Sequence, residues 1–102
     1  MKKSIEDLYT HAGLENITER IVIKELYDFV QSVENSAEPK FCTCWICQAD
    51  VAAIILNDIK PFYCSNFIDK NKNEEALRLK TPDIRERIVK AFEIIKESPH
   101  HE

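Results

Sequence analysis

Residues 41–64 read FCTCWICQADVAAIILNDIKPFYC, and this stretch decides how the rest of the chain is read. It holds all four cysteines, Cys42, Cys44, Cys47 and Cys64. A Cys-x-x-Cys pair such as Cys44 and Cys47 turns two thiolates toward one tetrahedral metal, and Cys42 can add a third. Cys64 has to return from beyond the most apolar run of the chain, Val51–Leu56. A helix from Cys47 to Lys60 rises about 20 Å. The four steps back to Cys64 recover at most about 14 Å. The remaining gap of about 6 Å is what two cysteines around one small bridge span, and Pro61 favours the extended return. The spacing therefore predicts a four-cysteine zinc knuckle at the start of a buried central helix. A fourth ligand from a partner chain, or one that is not cysteine, stays open.

Disulfides, redox chemistry and an iron–sulfur cluster compete for the same thiols. The opening MKKSIEDL has lysines but no apolar core of a signal peptide, which points to the cytoplasm, where thiols stay reduced. A thioredoxin-type site needs a βαβ setting that the pattern lacks. An iron–sulfur cluster also takes four cysteines, and spacing alone permits it. Structural zinc is the leading expectation.

With 102 residues the chain is read as one domain, 1–102, of a size that often needs a metal or a second subunit for stability. A single glycine, Gly13, removes phosphate loops and dinucleotide fingerprints. The longest apolar run has six residues, too few to cross a bilayer. The net charge of −4 argues against general nucleic-acid binding. Residues 70–102 are the most basic third, yet their 8 Lys and Arg are mixed with 7 acids, the pattern of a solvated helix face.

Helical periodicity fills the remainder and predicts an all-α fold. Met1–Gly13 reads as a short helix or tail, with Ser4 as N-cap. Asn16 opens a long helix with Glu19 as its capping-box partner, and Val22, Leu26, Phe29, Val30 and Val33 form its stripe. It should stop before Glu38-Pro39. In the next helix, Asp50 is expected in the first turn, and Val51–Leu56 to be covered on all sides. Trp45 is expected to pack beside the knuckle. Residues 65–80 give little pattern beyond Phe67, Ile68 and a short ALRL segment. Thr81-Pro82 starts the last helix, whose buried stripe is Ile84, Ile88, Val89, Phe92 and Ile95. His11 and the terminal His100-His101 are read as surface residues. Two helices with apolar faces this wide predict a homodimer.

The central stretch resembles the late competence development protein ComFB family. The family pattern C-x-C-x-x-C-x-x-D-V-x-A-x-x-L-N, followed by Pro and Tyr, is matched by Cys42, Cys44, Cys47, Asp50, Val51, Ala53, Leu56, Asn57, Pro61 and Tyr63. The likeness extends to NITERIVIKELYDFV and TPDIRERIVKAFEIIKESPH. The family more usually has two prolines before Tyr-Val, where this chain has Lys60-Pro61 and Tyr63-Cys64, so Cys64 as a ligand rests on reach alone. The resemblance implies a small all-helical, zinc-binding homodimer without established catalysis, of a family named for a competence operon and with members linked to cyclic dinucleotide signalling.

A cyclic dinucleotide such as cyclic di-GMP or cyclic di-AMP needs donors for two phosphates. Arg20, Arg78, Arg85 and Arg87 are the only arginines and thus the candidates, against a plainer role in surface ion pairs with nearby glutamates. Recruitment of a protein partner by a purely structural adaptor is the alternative function. A zinc enzyme would need an open coordination position, which four thiolates deny it.

Overall fold

The computed structural model describes residues 4–65 and 81–100. Its elements are α1 (Asp7–Thr10), β1 (Glu15–Asn16), α2 (Ile17–Glu34), α3 (Trp45–Asp58), β2 (Tyr63–Cys64) and α4 (Thr81–Glu97). The expected helices are present, joined by one ladder of two residues a side that periodicity did not foretell. The expectations for Phe67, Ile68 and the ALRL segment, and those for Arg78 and His101, lie outside the described residues.

The three long helices each pack on both others. Ile17, Ile21, Val22, Leu26 and Val30 recur at helical spacing along α2, and all are buried. Cys47, Val51 and Ile55 follow at intervals of four on α3, and Ile84, Ile88, Ala91, Phe92 and Ile95 complete the core from α4. Phe29, Phe41 and Phe92 close one end of this core, with ring centroids 5.3–6.2 Å apart. Phe41 thereby anchors the loop that leads into the cysteines.

The opposite end is tied by backbone. β1 and β2 pair antiparallel, Glu15 opposite Cys64 and Asn16 opposite Tyr63. The Ile17 N–H donates to the Phe62 carbonyl at 2.7 Å, and the Phe62 N–H donates to Asn16 Oδ1 at 3.0 Å. Thr18 Oγ1 donates to the Lys60 carbonyl at 3.1 Å. Asn16 does precede α2, but its side chain makes no cap hydrogen bond, so the expected capping box with Glu19 is not formed. The amide that would have capped the helix is spent on Phe62. Gly13, at φ 69°, turns the chain after α1, where the left-handed backbone lets the Leu14 N–H reach the Leu8 carbonyl at 2.8 Å.

Two expectations for α3 are corrected. Asp50 stands in its second turn, because the helix already starts at Trp45. Nor is the helix covered all round: α2 and α4 take one side, leaving Ile46 50%, Ile54 37% and Trp45 84% exposed. Trp45 points to solvent rather than packing beside the cysteines.

Candidate metal centre

The loop from Phe41 to Trp45 brings Cys42, Cys44 and Cys47 together where α3 begins. Cys44 is the N-cap of α3, in extended backbone, and its sulfur accepts the Cys47 N–H at 3.4 Å. A cap acceptor is usually oxygen, and a thiol in that role holds its sulfur over the first turn, beside Cys47. The loop is fixed from both sides: Thr43 Oγ1 donates to Glu34 Oε1 at 3.1 Å, and Gln48 Nε2 donates to the Thr43 carbonyl at 2.7 Å.

The three sulfurs lie within 4.8 Å of one another. In a tetrahedral zinc site, Zn–S bonds of about 2.3 Å set the sulfurs roughly 3.8 Å apart. Small side-chain rotations cover that difference, so the donor set fits a tetrahedral ion. Electrostatics agree with this fit. The Cys47 backbone N–H is the main cause that lowers the Cys44 thiol to about 7, whereas burial chiefly raises Cys47 to about 12. Crowded thiols at one helix end resist joint ionisation, and a divalent cation replaces their protons and offsets their charge.

Cys64 does not join them. Its strand pairs with Glu15 at the N-terminal end of α2, while Thr43 binds Glu34 at the C-terminal end. The two sites are separated by a helix length, about 20 Å for the 14 residues of α3. Cys64 is 1% exposed and packs as an apolar residue of the core. Of the four predicted cysteines the structure thus brings three together within one chain, and Cys64 stands apart. After Ile59 the chain crosses to β1 instead of doubling back along α3.

A further contact at the cysteine end escaped the sequence reading. A cavity of about 160 Å3 is lined by Cys42, Cys47, Phe92, Ile95, Lys96 and Pro99. Just beyond it, His100 Nδ1 meets Asp50 Oδ2 at 2.6 Å. The pair spans 50 residues of sequence, and the pattern around His100 gives no hint of it.

Among the described residues, the candidate arginines Arg20, Arg85 and Arg87 do not converge. Arg20 binds Glu15 at 2.9 Å near the ladder. Arg85 binds the nearly buried Glu25 of α2 at 2.8 Å, and Arg87 lies on another side of α4, against Asp83 at 3.0 Å and Asp58. These carboxylates hold both guanidinium groups further toward the charged form. Arg20 lines a concavity of about 560 Å3 with Tyr9, Asn16 and Tyr63, and with the carboxylates of Glu15 and Glu19. Arg87 lines one of about 390 Å3, but shares it with Asp58, Asp83 and Glu86, whose charge opposes a phosphate.

Comparison with known proteins shows the family. The family model "Late competence development protein ComFB" matches residues 15–99, from β1 to the residue before His100. The chain belongs to the ComFB family. The competence protein ComFB of Bacillus subtilis (strain 168) is 30% identical over 92 residues, covering 80% of this chain and 82% of that protein. The solved structure of the late competence protein ComFB from Bacillus subtilis superposes with a TM-score of 0.66 at 26% identity, covering 84% of this chain and 91% of that one. The ComFB resemblance read from the cysteine stretch is thereby established for most of the chain. Among the described residues, no helix is long and apolar enough to cross a membrane.

Proposed function

We propose that this ComFB-family protein is a non-enzymatic regulatory module of the bacterial cytoplasm, linked to competence, stabilised by one zinc ion per chain and working as a homodimer. The observation that carries the reading is the gathering of the Cys42, Cys44 and Cys47 sulfurs within 4.8 Å at a helix start. Such an ion serves the fold: it joins the loop after α2 to the first turn of α3. The dimer reading is supported by the uncovered side of α3, where Trp45, Ile46, Ala49, Ala53 and Ile54 form an exposed apolar strip.

The ligand proposed from the family resemblance is a cyclic dinucleotide. Arg20 is one candidate phosphate contact: its concavity offers two tyrosines as stacking surfaces, although Glu15, which it binds, and Glu19 line it too. Arg20, Arg85 and Arg87 would each first have to leave a carboxylate. The second reading, a protein–protein adaptor, draws on the same apolar strip of α3. Native mass spectrometry of the protein from a bacterial lysate tests the proposal, because it reports metal, subunit number and retained nucleotide together. Zinc at one per chain in a dimer of twice the 11.9 kDa chain is the expected result. A metal-free monomer would refute it. Calorimetry with cyclic di-GMP and cyclic di-AMP separates the two readings: no heat with either leaves the adaptor.

A further inference from the structure

We infer that His100 supplies the fourth ligand of the metal centre, making it a site of three cysteines and one histidine closed by the segment that follows α4. The inference rests on the metal reading above and adds a ligand to it.

Three thiols leave one corner of a tetrahedron to fill, and Cys64 is buried about a helix length away. His100 comes from the right direction. Pro99, its neighbour in sequence, lines the same cavity as Cys42 and Cys47. Asp50, which holds the ring, is three residues after Cys47 and so lies on the same face of α3. The ring is therefore tethered to the residue one helical turn from Cys47; it stands outside the group of three sulfurs and must close on them to ligate.

Its orientation suits a ligand. The Nδ1–H donates to Asp50 Oδ2 at 2.6 Å, which sets the tautomer and leaves Nε2 as the nitrogen that can take a metal. A carboxylate on the far ring nitrogen is the usual companion of a metal-bound histidine, because it orients the ring and raises its basicity. As a mere surface ion pair the contact would contribute little. Charge also balances: a zinc ion with three thiolates and a neutral imidazole carries one net negative charge. Lys96, which lines the cavity with its ammonium 5.8 Å from the Phe41 ring centroid, lies close enough to offset it. The last turn of α4 and the start of α3 would then be joined through the ion.

The test uses the full chain, stripped of metal and titrated with Co2+ for its visible spectrum and with Zn2+ against a chromophoric chelator. His100→Ala should weaken Zn2+ binding more than about 100-fold and change the cobalt ligand-field bands, and Asp50→Asn should give a smaller loss within the range of about 10–100-fold. His100→Cys should restore the affinity with a spectrum shifted toward four thiolates, a rescue that a structural role for His100 would not give. His101→Ala and Cys64→Ser should leave the spectrum as in the wild type. An unchanged spectrum and affinity in His100→Ala would overturn the assignment while the metal reading stands, and a loss in Cys64→Ser or His101→Ala instead would reassign the ligand. A folded wild type that takes up neither ion would overturn both.

Discussion

The two ends of α3 present the same residue in opposite circumstances. At the N-terminal end three cysteines crowd within 4.8 Å, one of them capping the helix with its sulfur. At the C-terminal end Cys64 lies in the core, apart from the other three and opposite Glu15 in a two-residue ladder. A thiol is both a small apolar side chain and a strong metal ligand, and its company decides which. Where local turns gather several at a polar helix end, ligation is the chemistry they can do. Where one is enclosed by isoleucines and valines, it is packing.

That contrast is open to direct attack, and the largest effect is expected at the metal end. Structural zinc sites in small peptides bind with an apparent energy of about 10–16 kcal/mol, roughly the stability of a whole domain. A strong chelator should therefore lower the melting temperature sharply, and Cys44→Ser should abolish stoichiometric zinc in native mass spectra. If Cys44→Ser keeps one tightly held zinc, the contrast between the ends fails.

Cys64→Ser is the converse substitution. A hydroxyl placed in that enclosed site should destabilise the chain by about 1–3 kcal/mol while zinc stays at one per chain. Urea unfolding with metal analysis of the same sample checks both parts. Asn16→Ala should act more weakly at the same end. It removes the acceptor of the Phe62 N–H, a loss of about 0.5–1.5 kcal/mol by urea unfolding, with zinc content unchanged. The smallest effect on the single chain is expected between the two ends, on the uncovered side of α3. Ile54→Glu should leave zinc and thermal stability nearly as they are, yet shift sedimentation from dimer to monomer. A dimer that survives it would move the interface elsewhere.

Much of this was legible in the sequence because it is local. The stripes of α2 and α4, the Thr81-Pro82 start and the gathering of Cys42, Cys44 and Cys47 all follow from spacings of a turn or two. What was missed depends on partners far along the chain. The reach estimate for Cys64 was sound as a distance, but the route after Ile59 is set by Thr18 and Asn16, more than 40 residues earlier. Likewise Val51–Leu56 is apolar enough to be surrounded, yet among the described residues α2 and α4 are the helices that cover it. The bond between His100 and Asp50 is a product of how α4 ends beside α3, which neither segment encodes by itself.

The packing of Phe41 against both Phe29 and Phe92 has a kinetic consequence. The ring lies in the residue just before Cys42, so the cysteine loop cannot swing open without first withdrawing that ring from the Phe29–Phe92 pair of α2 and α4. An ion held there would exchange with the medium no faster than that end of the bundle breathes. Amide hydrogen exchange in the last turns of α2 and α4 should then keep time with metal release, as two readings of one opening event.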